Sequence, residues 1–455
     1  MQATLPITRL KNTTLQSDPI SISDRKKSLN ALYTLVKENE TAIEGALKQD
    51  LNKSDAEAYI TEILFCYNEI KHALRHLDQW AARKRVTTPL FFFPAKSYIQ
   101  PEPLGVALII SPWNYPFQLL ISPLVGALAA GNRVVLKPSE MAPATEQLVA
   151  SLIPQYFHED LVSVICGGPE ITKQLIDEKP DLIFFTGSTA TGSKIMEYAS
   201  RHLIPVILEL GGKSPCIVDE STDIAVAARR IAWGKFINAG QTCIAPDYVL
   251  VHNKIQEKFM EFLYKEMDLM FPQEPDRYCK IINNRHFDRI SKMLQGPIVK
   301  GGKTDAQHLR IEPTILLNPD PSHPAMQEEI FGPVLPVFTF NDFHQVIYTL
   351  QGKEKPLAFY LFSENKEHIE LANRRISAGG FCINDTILHI ANGHLPFGGV
   401  GQSGFGAYHG KYSFDAFTHF KPVLHKSTSL DLKLRYPPFH QIIKKMENIV
   451  LRISS

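Results

Sequence analysis

In roughly the first 80 residues, apolar positions recur at helical spacing, first at Leu29, Leu32, Val36, Ile43 and Leu47, then at Ile60, Ile63, Tyr67, Ile70, Leu74 and Leu77. The stretch TTPLFFFPAKSYIQPEP (87–103) breaks this pattern. Its prolines and β-formers suit an arm or edge strand better than a buried helix. From residue 105 short continuous apolar runs alternate with helical segments. GVALIIS (105–111) precedes a helix ending near Ala130, and RVVLKPS (133–139), LVSVIC (161–166) and DLIFFTGS (181–188) precede three more. PVILELGG (205–212) closes the series. Such alternation predicts a parallel sheet covered on both faces. Ligands bind outside the carboxyl ends of such strands, and those ends carry Asn114, Lys137, Gly187 and Glu209. A second series follows. SPCIVDE and YVLVHN lie either side of a helix around 222–239, and TILLNP, LPVFTF and AFYLFS come later, which predicts a second α/β domain.

Length agrees with more than one core, since 455 residues exceed what a single domain usually holds. Lys+Arg total 48 and Asp+Glu 47, so no charge excess points to nucleic acid. The six cysteines are scattered, with no CxxC pair and no metal-ligand spacing. They read as free thiols of a reducing compartment. The N-terminal MQATLPITRLKNTT lacks the apolar core of a signal peptide, and no apolar run reaches the roughly 18–20 residues that span a bilayer. A cytoplasmic protein is expected.

Five places carry candidate chemistry. Cys243 lies in FINAGQTCIAPD, a polar, small-residue stretch suited to a loop. A lone cysteine is ordinarily a small buried hydrophobe, and a nucleophilic one needs local activation. Glu209, in LELGGKSP, stands at the end of an apolar strand. Burial there would raise its pKa toward that of a general base, whereas solvation would leave it an ordinary strand-end carboxylate. Asn114, in SPWNYPF, lies between Pro112 and Pro116, as a preorganised amide donor or a plain turn residue. GSTATG (187–192) sits where a strand meets a helix, a junction that can hold a pyrophosphate although it lacks the GxGxxG spacing. Lys137 and Glu140, in LKPSE, are polar groups at another strand end.

Together these segments reach a family. FINAGQTC with Cys243 and LELGGKSP with Glu209 resemble the two active-site signatures of the aldehyde dehydrogenase superfamily. SPWNYPF, LKPSE, FFTGSTATG, EEIFGPV (328–334) and PFGGVGQSG (396–404) also match, in the family's order and over nearly the whole chain. The overall length and the ending HLPFGGVGQSGFGAYHGKYSFDAF resemble its class 3 branch.

The resemblance implies an α/β protein of two doubly wound parallel-sheet domains and an extended oligomerisation arm. A Rossmann-like NAD(P)-binding domain would comprise 1–81 and 102–208, and a catalytic domain 209–413. The arm would comprise 82–101 and 414–440, and an amphipathic tail 441–455. It implies Cys243 as nucleophile, Glu209 as base and Asn114 as oxyanion donor. Trp113, Lys137, Glu140, Gly187, Ser188, Thr189, Ala190, Thr191, Gly192, Leu210, Glu329 and Phe331 would contact the cofactor. Tyr115, Gln118 and Ile237 would line a tunnel for an apolar or aromatic aldehyde. The cofactor would be NAD, with NADP the alternative, because Glu140 would repel a 2′-phosphate that Lys137 partly neutralises. A coenzyme A-acylating relative and a non-catalytic member of the fold are the competing readings, and a homodimer is the implied assembly. Phe439, Ile442, Ile443, Met446, Ile449, Val450 and Ile453 form an apolar stripe flanked by Lys444, Lys445 and Arg452. It suits a packed helix first and a peripheral membrane contact second.

Overall fold

The computed structural model describes residues 6–271, 278–431 and 436–437, so the C-terminal apolar stripe lies outside the described residues. The predicted helical start is present as Ile22–Glu38, Glu40–Leu51 and Leu64–Trp80. Ser21 caps the first by accepting the Asp24 N–H. The stripe shifts phase at Tyr59–Ile63, a π-helical turn. Its wider winding turns Ile60 outward, 58% exposed, while Ile63 stays in the core.

Five parallel strands form the first sheet, in the order Val206–Glu209, Leu182–Thr186, Val106–Ile110, Arg133–Lys137, Val162–Val164, and a short antiparallel strand, Gly404–Phe405, closes the edge at Val206–Glu209. The order reverses between Val106–Ile110 and Leu182–Thr186, which opens a crevice at their carboxyl ends. Both strands are buried throughout, as their unbroken apolar sequence requires. Gln118–Ala130 covers the sheet and is itself buried at every position, because other helices pack over it. A β-carbon at Gly126 would collide with Ser413, so glycine permits that close packing. Gly131, at φ 91°, ends the helix in the left-handed conformation.

The second sheet runs Ile298–Lys300, Thr314–Leu317, Val334–Phe340, Tyr248–His252, Pro215–Val218, Ala358–Phe362, Gly380–Ile383 and is parallel except at its first strand. A third, small sheet holds Ala95–Pro103 between Lys84–Val86 and Thr418–Lys426. The expected edge strand is thus central over part of its length. Lys84–Val86 reaches only Ser97–Ile99, so Pro101 and Pro103 face no ladder on that side and cost no hydrogen bond there. Beside it Leu90, Phe91 and Phe93 are 68, 59 and 63% exposed.

Candidate active site

Cys243 lies in the loop between the turn Ile237–Gly240 and the strand Tyr248–His252. Asn238, Ala239 and Gly240 take φ of 53, 52 and 71°, three successive left-handed residues. At Gly240 a β-carbon would collide with the Gly332 carbonyl, so only glycine fits. Asn238 is held by its N–H, which donates to Glu57 Oε1 at 2.8 Å, and by its side chain, which donates to the carbonyls of Asn114 (2.8 Å) and Gln241 (3.1 Å).

Asn114 is buried just beyond the strand Val106–Ile110 and donates one side-chain N–H to the Gln241 carbonyl at 3.0 Å. Its amide has a second N–H to offer. Tyr115 pairs its hydroxyl with Thr242 Oγ1 at 2.6 Å. These bonds zip the Asn114 loop to the two residues before Cys243. The Cys243 sulfur is approached by the N–H groups of Cys243 and Ile244. Burial, with the nearby charges of Glu329 and Glu209, still pushes its pKa up to about 12, so the resting residue is a thiol.

Glu209 ends the strand Val206–Glu209, opposite Thr186 on one side and Gly404 on the other. It is 2% exposed, and neither carboxylate oxygen has a hydrogen-bond partner among the described residues. Burial holds its pKa well above the carboxylate range. The Thr186 and Tyr408 hydroxyls are likewise buried without a partner.

The expected cofactor residues Trp113, Lys137 and Ser188 stand at the carboxyl ends of three neighbouring strands of the first sheet. Ser188 caps the helix Thr189–Ser200, its Oγ accepting the Thr191 N–H. The N–H groups of the helix's first turn have no intrahelical acceptor and face an anion naturally. Gly192 lies there with the end of the Leu210 side chain packed against it. At the next strand end Lys137 and Glu140 form an ion pair of 2.7 Å, with Lys137 buried and Glu140 38% exposed. Trp113 meets Phe331 edge to face at a ring separation of 5.3 Å.

Glu329 is half-buried against Gly211, where a β-carbon would meet the carboxylate, and it accepts the Gly212 N–H. Burial, then the charge of Asp247, raises it to about 8. Its segment is anchored by Asp247, which accepts the Ile330 N–H at 2.9 Å and pairs with Lys213.

Of the proposed tunnel residues, Tyr115 and Ile237 flank the Cys243 loop, whereas Gln118 turns its amide back onto its own helix to bond Ser122 at 3.0 Å. Sequence reasoning missed His286, whose ring lies 5.0 Å from Trp113 and whose pKa burial lowers to about 4. It also missed Asp247, Lys213 and Tyr408. APD and LGGKSP carry the first two in quoted motifs, and their pairing across the fold is the signal that sequence lacks.

The strand order and the crevice at its reversal place the chain among dinucleotide-binding α/β proteins. The aldehyde dehydrogenase family model matches residues 12–423. The 4,4'-diaponeurosporen-aldehyde dehydrogenase of Staphylococcus aureus is 46% identical over 425 residues, 92% of each chain. The dimeric NADP-preferring aldehyde dehydrogenase of Canis lupus familiaris is 45% identical over 420 residues, 91% of this chain and 93% of the relative. The substrate-bound structure of Staphylococcus aureus AldH superposes with a TM-score of 0.95 at 43% identity, covering 98% of each chain. The chain belongs to the aldehyde dehydrogenase family and has its fold.

Proposed function

We propose that this chain oxidises an apolar aldehyde, medium- or long-chain aliphatic or aromatic, to the carboxylate with NAD(P)+, using Cys243, Asn114 and Glu209. One observation carries the reading: the Asn114 loop is zipped to the Cys243 loop, and a buried carboxyl without a partner, Glu209, stands near the sulfur.

The residues present fit a dinucleotide. Ser188 and the N–H groups after it suit the pyrophosphate, and Lys137 with Glu140 suits the adenosine ribose. Trp113, Leu210, Glu329 and Phe331 suit the nicotinamide half. When bound, the nicotinamide accepts the hydride.

The chain's own residues do the rest. Cys243 gives its proton to solvent and, as thiolate, forms an S–C bond to the carbonyl carbon, and the carbonyl oxygen becomes an oxyanion. The free Asn114 side-chain N–H and the Cys243 backbone N–H stabilise that oxyanion. Its collapse expels the hydride and leaves a thioester on Cys243. Ionised Glu209 takes a proton from water, whose oxygen attacks the thioester carbon, and the C–S bond breaks to give carboxylate and thiol. A coenzyme A-acylating enzyme has no need of such a base.

NAD is the favoured cofactor, since Glu140 suits a ribose 2′-hydroxyl. Lys137 at 2.7 Å offsets part of its repulsion of a 2′-phosphate. Assay of NAD(P)H formation with aldehydes of graded chain length should show turnover that strengthens with apolar length and yields free acid without coenzyme A. Strict dependence on coenzyme A, or silence with all aldehydes, would overturn the reading.

The division at 81/102, 208/209 and 413/414 into cofactor, catalytic and arm parts belongs to the same proposal. So does a homodimer through the arm. Its support is the exposed group Leu90, Phe91 and Phe93 beside the three-stranded sheet. Sedimentation should give twice the chain mass, falling to one chain in Phe91→Asp/Phe93→Asp. A monomeric parent, or a variant that stays dimeric, would remove the arm from the interface.

A further inference from the structure

The two loops that carry Asn114 and Cys243 are gripped from a third place in the chain, the short segment 53–62. Lys53 and Glu62 have fully buried side chains and form an ion pair. Glu62 spends its other oxygen on two backbone N–H groups at the start of Gln118–Ala130, those of Phe117 (2.9 Å) and Gln118 (3.1 Å). Lys53 donates to the Asn114 carbonyl at 3.2 Å and stands 4.0 Å from the Tyr115 ring centre. Glu57, between them, accepts the N–H of left-handed Asn238, whose side chain bonds the same Asn114 carbonyl.

A buried ion pair is a poor way to stabilise a fold, because desolvation offsets most of the attraction and apolar residues often do as well. This pair does something apolar residues cannot. Its directional bonds end on residues 114, 117 and 118, so they fix where the Asn114 amide points, while Glu57 fixes the turn that leads into Cys243.

We propose that Lys53, Glu57 and Glu62 are positioning residues that hold the Asn114 oxyanion donor in register with Cys243. The proposal rests on the function proposed above. Placement errors of about 1 Å at a reacting centre cost on the order of 10²-fold in rate.

The test is the pre-steady-state burst of NAD(P)H in Lys53→Met/Glu62→Gln, which removes both charges together and leaves neither stranded. The burst rate should fall by about 10–100-fold with cofactor affinity unchanged. In an Asn114→Ala background the same pair of substitutions should lower it by less than about twofold, since coupled residues are not additive. An undiminished burst, or an equal fold-loss with and without Asn114, overturns the proposal. Should the double variant not fold, Glu57→Ala keeps the ion pair and frees Asn238, together with the Cys279 thiol. It should slow the burst about 3–10-fold, again only when Asn114 is present, and an unchanged burst there counts equally against the clamp. A Cys243→Ala control separates the two readings. A burst surviving that change removes the nucleophile itself, whereas a burst lost there but kept in the clamp variants removes the clamp alone.

Discussion

Cys243→Ala should lower steady-state NAD(P)H formation by about 10⁴-fold or more and abolish the burst, because it removes the sulfur that takes the covalent step. Cys279 is buried and hydrogen-bonded to Glu57, and Cys216 is fully buried in the second sheet. Cys243 itself is partly accessible. Its pKa of about 12 adds a second readout. In the cofactor-free enzyme, alkylation at Cys243 should quicken by about tenfold per pH unit from neutrality upward without levelling before pH 10, since thiolate is the minor form throughout. A plateau near pH 7 would mean a thiolate already formed at rest. Near-normal turnover of the alanine variant would dismiss the nucleophile.

Glu209→Gln should spare the burst and slow the turnover after it by about 10²–10⁴-fold, the usual worth of a general base. An acyl-enzyme one acyl group heavier than the chain should accumulate and be visible by intact mass. The pH dependence follows from the direction of the shift. Burial raises Glu209, so the free enzyme keeps it a neutral acid to higher pH than an ordinary carboxyl, and its ionisation as pH rises creates the base. Thioester hydrolysis in the parent should therefore rise with pH and flatten above the Glu209 pKa. The glutamine variant should lose that limb. If it neither bursts nor accumulates acyl-enzyme, Glu209 serves some step before hydride transfer.

Much of this was legible because the chemistry sits at the ends of apolar runs. Glu209, Asn114 and Ser188 each follow a strand whose unbroken hydrophobic pattern fixes where the chain leaves the sheet. Cys243 was legible by its surroundings, since the left-handed run before it needs Gly240. What sequence did not reveal comes from packing between distant segments. Lys53, Glu57 and Glu62 read as ordinary charges near a helix and join the site only through bonds to Asn114, Phe117, Gln118 and Asn238 far along the chain. The turn at Tyr59–Ile63 is why the stripe through Ile60 lost phase. Gln118 shows the converse. Its position beside Asn114 suggested a tunnel residue, yet Ser122 one helical turn away captures its amide. His286 reaches Trp113 from the helix Asn284–Ser291, which lies between two strands of the second sheet in sequence, a proximity no local pattern encodes.

The strand Gly404–Phe405 has a consequence for synthesis. It supplies the outer neighbour of the strand that bears Glu209, and Thr418–Lys426 pairs with Ala95–Pro103 along its whole length. Both early strands therefore wait, with an open edge, until the residues from 404 to 426 have left the ribosome. Unpaired edges recruit other strands. A chain cut short before residue 404 would thus keep an open edge beside the strand of Glu209, and splitting the gene between its two sheets would separate that strand from its outer partner.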